Sequence, residues 1–424
     1  MRKAITTYGH SLTASLALLL ALLLSACHEH GGGERFSYES EHTLLLYIVG
    51  DNTLSTYAAT NIEQCVAGLR NTEHPLNLIV YKDTKESGSY LPQLFQLKRN
   101  AANPEQIDTV YIKQWKAELN SADPEVLTEV MDYAFGLFDT EVKGLEIWSH
   151  GVSWLPSSNF KLSQERATTR ALTYIGQDNS NFMELWELRE ALEAADSKLD
   201  YILFDACHMG TAEVLYEMKD VCSYLFAPIT EVMGAGFPYA TFVQSLSAIQ
   251  SKESLESVLP LLVDDFEAMY PTNGTCTLLA TRGADNLYEQ CLALNEAADR
   301  CAAWAPYGTD SLYYPLNYER HIQHYGRLKT GMRYFFYDVK DWANAVVADS
   351  LVKDYDLQPL YDALHSCVLD YFYSPYFSAS GDAIAIDSCC GLAMSVPVFW
   401  QTLSSYAEKL DQAYTKIGWR LEEN

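Results

Sequence analysis

Residues 201–211 read YILFDACHMGT, an apolar run that ends in Asp205, Cys207 and His208 within four residues. A buried strand has no use for a carboxylate, a thiol and an imidazole at its end, so these groups must meet something else in the chain. Working outward, LEIWSHG (145–151) is a second apolar run that also closes on chemistry, His150 followed by Gly151. Four further runs have the look of buried strands: TLLLYIV (43–49), LNLIVYK (76–82), YLFAP (224–228) and TLLAT (277–281). Helix-length amphipathic stretches lie between them, at 54–70, 124–138, 181–195 and 210–218. Apolar strands alternating with helices predict an α/β fold, a mostly parallel sheet covered on both faces. Such sheets bind ligands beyond the carboxyl ends of their strands, which is where 145–151 and 201–207 carry their polar groups.

If those two strands are neighbours, His150 and Cys207 come together at one sheet edge. A thiol leading into a helix, beside an imidazole, is placed to act as a nucleophile. Gly151 leaves its N–H unobstructed, and with the N–H of Cys207 it could form an oxyanion hole. That is the set required for acyl transfer. His208 is a poorer base, because adjacent side chains point in different directions. A thiol oxidoreductase built on Cys207 and His208 lacks a resolving cysteine two or three residues away. Asp205, two residues before Cys207, shares its side of the strand. Its carboxylate could pair with a substrate Arg or Lys, or it could cap the next helix.

The N-terminus reads as an address. Arg2 and Lys3, an apolar core and small residues make residues 1–26 a secretory signal. Leu24-Ser25-Ala26-Cys27 resembles a bacterial lipobox, which makes Cys27 the lipidated residue and 27–42 a tether containing HEHGGGE. Of 424 residues, 398 remain after the signal. The chain carries 29 basic and 56 acidic residues, a net charge of −27 that becomes about −29 without Arg2 and Lys3. A field of that sign disfavours nucleic acid and favours cationic ligands. Ten cysteines less Cys27 leave nine, an odd number, so at least one thiol has no intramolecular partner. No spacing suits zinc, and no Asp-x-Asp-x-Asp-Gly loop suits calcium. The stretch 152–180 is polar and long for a loop inside a domain, and contains Lys161, Arg166 and Arg170. The core is expected over 43–300, with 301–424 a C-terminal α/β extension packed on it; GLAMSVPVF (391–399) is a candidate strand completing the sheet.

In order along the chain, YIVGDNTLSTY (47–57), LEIWSHGVSW (145–154), YIGQDNSNFMELWELREAL (174–192) and YILFDAC (201–207) resemble segments of the clostripain-like cysteine peptidases, as do YFFYDVKDWA (334–343) and GLAMSVPVF. That family belongs to the caspase-like clan. The resemblance implies a caspase-like α/β/α sandwich, Cys207 as nucleophile, His150 as general base and acid, and Asp205 in the pocket for a basic residue before the scissile bond. It further implies self-cleavage in the loop after the catalytic His, where Lys161, Arg166 and Arg170 lie, and leaves calcium open as a cofactor although the sequence itself requires none. The chain departs from the family in FAPITEVMGAGFPY (226–239), with Phe237 where a Trp is usual and Ala235 near where a second acid stands. Glu231 is the candidate replacement, and the altered wall leaves a non-basic preference open. The expectation is therefore a lipid-anchored peptidase of the bacterial cell envelope acting on proteins or peptides with basic residues. Its competitor is a non-catalytic surface-binding lipoprotein.

Overall fold

Alternate residues of the strand His42–Gly50 (β1) serve two different cores, and this divides the protein into layers. Leu45, Tyr47 and Val49 belong to one cluster; Leu44, Leu46 and Ile48 belong to another. A strand whose residues are all buried must be covered on both faces, because successive side chains leave opposite sides of the sheet. The computed structural model describes residues 40–85, 91–157, 176–299, 322–328, 333–348, 352, 354–378, 383–396 and 407–421, within one unit that runs from Tyr38 to Asn424. The expected signal, Cys27, most of the tether, and Lys161, Arg166 and Arg170 lie outside the described residues.

Eight further strands join β1: β2 (Asn77–Thr84), β3 (Gln93–Arg99), β4 (Ile107–Gln114), β5 (Val142–Trp148), β6 (Tyr201–Asp205), β7 (Tyr224–Ala227), β8 (Thr275–Ala280) and, after two short strands β9 (His324–Leu328) and β10 (Arg333–Asp338), β11 (Val368–Tyr373). The order across the sheet is β11-β8-β7-β6-β5-β1-β2-β3-β4. The five central strands β7, β6, β5, β1 and β2 are all parallel. Antiparallel pairs flank them, β3 and β4 on one side and β8 and β11 on the other.

One layer holds α1 (Ser55–Arg70), and the other begins with α2 (Pro124–Phe135), α3 (Leu185–Ala194) and α4 (Ala212–Glu217). α5 (Tyr239–Ser247) and α6 (Leu261–Met269) join α1; α7 (Ala284–Asp299), α8 (Val339–Ala348), α9 (Gln358–Cys367) and α10 (Ala407–Tyr414) join the others. Local sequence sets the ends of these helices. Asp123 accepts the Glu125 amide at 2.9 Å, with Pro124 in the first turn of α2, and Glu184 forms a capping box with Glu187 at the start of α3.

The expected α/β/α sandwich is therefore the observed fold, and the six anticipated strands and four anticipated helices are present. Two features differ. The β3–β4 hairpin extends the sheet where no strand was anticipated. Of the strand anticipated at 391–399, residues 391–396 are described, and Ala393–Met394 among them pairs with β10 in a separate three-stranded sheet; the C-terminal strand that extends the central sheet is β11. Ser395 explains the difference. Its amide donates to the buried Glu213 of α4 at 2.7 Å and its hydroxyl accepts from Trp154 Nε1, in the segment after β5, at 2.8 Å, so the segment is held there instead of lying beside a strand of the central sheet.

Candidate active site

β5 and β6 are neighbours with Trp148 opposite Asp205, and the pairing continues past their ends, where the Ser149 amide donates to the Asp205 carbonyl at 3.3 Å. That register brings the two following segments, Ser149-His150-Gly151 and Ala206-Cys207, side by side. The contact is close: a Cβ on Gly151 would lie 2.7 Å from Ala206 Cβ, 3.0 Å from the Cys207 carbonyl oxygen and 3.2 Å from its nitrogen. Only glycine fits there without displacement. His150 and Cys207 are both buried.

Each side chain has identified neighbours. His150 Nε2 lies 3.0 Å from the Thr53 hydroxyl, in the turn that follows β1. Cys207 Sγ accepts the Val232 amide at 3.1 Å and lies 3.8 Å from the Val232 carbonyl oxygen. The helix expected to start at 210 starts at Ala212, capped by Thr211. A dipole effect fades beyond the first turn, so the Val232 amide is the donor that meets the sulfur. Between thiol and helix, His208 takes a left-handed conformation (φ 56°). Its amide donates to Thr230 O at 2.9 Å, its Nδ1 lies 3.2 Å from Ile229 O, and its ring stacks on Phe336. Burial lowers the His208 pKa to about 4, so it is a neutral ring in the opposite layer from the one that holds Cys207.

Asp205 shares the Cys207 face. It does not cap α4. Its Oδ2 accepts the Tyr239 hydroxyl at 2.6 Å and the Phe237 amide at 3.4 Å, and the residue is fully buried. The Phe237 ring packs against Phe226, Phe242 and Phe266, with centroids 5.3, 5.2 and 6.0 Å away, and its main-chain amide is the group that bonds Asp205. Glu231 is partly buried and directly precedes Val232 in the segment that touches the thiol. Ala235 offers its carbonyl to Asn61 at 2.8 Å. The fold thus gathers His150, Gly151, Asp205, Cys207 and the 231–237 segment at one end of the parallel strands. Thr53, Val232 and Tyr239 were not singled out from the sequence. Two of them act through a main-chain amide or from another strand's turn, and no residue pattern announces that.

A second polar knot lies beyond β1 and β2. Burial pushes the Asp83 carboxyl up to about 8 against its hydrogen bond from Ser121, with Asp178, Glu118 and Asp51 adding repulsion. The described residues include no group of His, Cys, Asp and Glu suited to a metal ion, and none of their eight cysteines is joined in a disulfide.

An α/β/α sandwich with a thiol and an imidazole at adjacent parallel strand ends defines a caspase-like cysteine peptidase scaffold. Residues 46–302, more than half of the chain, match the clostripain family, and the chain belongs to that family of cysteine peptidases. It is 28% identical over 237 residues to clostripain of Hathewaya histolytica, a match covering 49% of this chain and 42% of that protein. The fold is shared with an inactive zymogen C11 protease from Parabacteroides distasonis (TM-score 0.70, 24% identity, 91% of this chain and 98% of that one). It is shared also with a secreted C11 cysteine protease from Bacteroides thetaiotaomicron solved with an irreversible peptide inhibitor (TM-score 0.66, 22% identity, 90% and 100%).

Proposed function

We propose that this protein is an endopeptidase in which Cys207 and His150 form the catalytic dyad and cleave peptide bonds after Arg or Lys. The observation that carries the dyad is the β5–β6 pairing, with the Gly151 segment against the Cys207 main chain. Cys207 passes its proton to His150 and its sulfur attacks the scissile carbonyl carbon. The oxyanion is held by the N–H groups of Gly151 and Cys207. His150 gives the proton to the leaving amine as the C–N bond breaks, and water then hydrolyses the thioester. Asp205, on the thiol's face of β6, is the group proposed to meet the basic side chain, with Glu231 beside it. Lys161, Arg166 and Arg170 are the proposed sites of self-cleavage, and Cys27 the lipid attachment that would hold the chain to a bacterial envelope membrane.

One observation favours a second specificity. Asp205 is fully buried and already holds Tyr239 and Phe237, which suits a site for neutral residues in which this carboxylate is structural. Purified wild type and Cys207→Ala, assayed on fluorogenic peptides ending in Arg, Lys, Asn or Leu with and without calcium, separate the readings. Turnover after Arg or Lys that disappears in the variant, with a cut between 152 and 180 lost as well, is the expected result. Turnover after Asn or Leu alone would establish the second specificity. No turnover and no cut would refute the peptidase assignment in favour of a binding protein.

A further inference from the structure

We infer that Thr53 is a positioning residue for His150, its hydroxyl holding Nε2 so that the other ring nitrogen, Nδ1, exchanges the proton with Cys207; this rests on the dyad proposed above. Thr53 is exposed between the buried Asp51 and Leu54, and an exposed hydroxyl ordinarily bonds water. Here it meets a buried ring at 3.0 Å. The turn that carries it is fixed on several sides. Asn52 Oδ1 accepts the Leu54 amide at 2.8 Å, and Asn52 Nδ2 donates to Val49 O at 2.9 Å and Gln177 O at 2.8 Å. The residue preceding the histidine is tied to the same place. Ser149 Oγ donates to Val49 O at 3.2 Å and accepts the Gln177 amide at 3.2 Å. The neighbours of Thr53 and of His150 therefore share one carbonyl, at the end of β1, and hydroxyl and ring are placed relative to each other by a common anchor.

The chemistry needs such a group. After taking the thiol proton the ring is an imidazolium, and because the ring is buried its Nε2–H requires an acceptor. A hydroxyl can accept that proton's hydrogen bond without taking the proton itself. It favours the charged ring and opposes its rotation, as partners of functional imidazoles do elsewhere.

The test compares wild type with Thr53→Val, which keeps the shape and removes the hydroxyl, Thr53→Ser, which keeps it, and His150→Ala. The readouts are kcat and KM on the best fluorogenic peptide across pH, and the rate of Cys207 alkylation by iodoacetamide with Cys207→Ala as blank. Thr53→Val is expected to lower kcat by about 10–100-fold, on the scale of removing the hydrogen-bond partner of a metal-bound imidazole, with KM within about two-fold. Losing the acceptor disfavours the imidazolium, so the alkaline limb of kcat/KM moves to lower pH and the acid limb of alkylation, which follows formation of the ion-paired thiolate, moves to higher pH, and Thr53→Ser restores both. A wild-type profile for Thr53→Val beside an inactive His150→Ala overturns this inference alone. A raised KM with unchanged kcat also overturns it, making Thr53 a substrate contact. Turnover by His150→Ala would overturn the dyad and this inference with it.

Discussion

Replacing Gly151 with alanine tests the oxyanion-hole geometry directly. The new methyl would sit 2.7 Å from Ala206 Cβ and 3.0 and 3.2 Å from the Cys207 main chain, where carbon atoms prefer about 3.5–4.0 Å. None of these neighbours is the far end of a flexible side chain, so the 149–154 segment has to retreat from β6 by about 1 Å. A displacement of that size at a catalytic group costs on the order of 100-fold, and complete loss of one oxyanion donor costs about 100–1,000-fold. The variant should therefore lose about 100-fold or more in kcat, with a stability penalty of about 1–3 kcal/mol from overpacking. Peptide turnover gives the first number and thermal unfolding the second. Iodoacetamide alkylation of Cys207 separates two causes, since it needs the thiolate but no oxyanion hole: a rate within a few-fold of wild type assigns the loss to the oxyanion hole, and a larger fall assigns it to His150, which the retreating segment carries. A variant that folds, alkylates normally and turns over within about three-fold of wild type would refute the role assigned to the Gly151 amide.

Other outcomes follow from the polar groups the fold buries. Asp83 and Glu213 are pushed up to about 8 and about 7, both chiefly by burial, so the folded protein holds protons that the unfolded chain releases near pH 4. The stability tied to them is fully present below that pH and is lost as pH rises through 7 to 8; thermal unfolding at pH 5 and 8 should show a smaller decline for Asp83→Asn and Glu213→Gln than for wild type. Tyr239→Phe removes the 2.6 Å hydrogen bond to Asp205 and should cost about 1–3 kcal/mol, the range for removing one partner of a buried hydrogen bond. If Asp205 also sets specificity, the ratio of turnover after Arg to turnover after Leu should shift several-fold in the same variant, and an unchanged ratio would leave Asp205 a structural role only.

The central strands could be read from the sequence because parallel strands buried on both faces must be continuous apolar runs, and TLLLYIV, LEIWS and YILFDA are such runs. The β3–β4 hairpin escaped that reading for the opposite reason. QLFQLKR and IDTVYIKQ mix charged and polar residues into strands at the edge of the sheet, and most of β4 is not buried. The segment 391–399 misled by being apolar for another purpose, since its Ala393 amide bonds Gly210, three residues past Cys207, and its Ser395 holds Trp154. His150 and Cys207 were legible because each closes a readable strand. The contact of Thr53 with His150 was not, although DNTL stood in plain view, because it depends on strand order, which lies outside any local pattern. β5 lies between β6 and β1, so the imidazole at its end has a thiol-bearing segment on one side and a hydroxyl-bearing turn on the other. A base that must exchange a proton at one nitrogen and be held at the other needs neighbours on both flanks. A strand in the middle of a parallel sheet provides them, whereas an edge strand would leave one ring nitrogen to solvent.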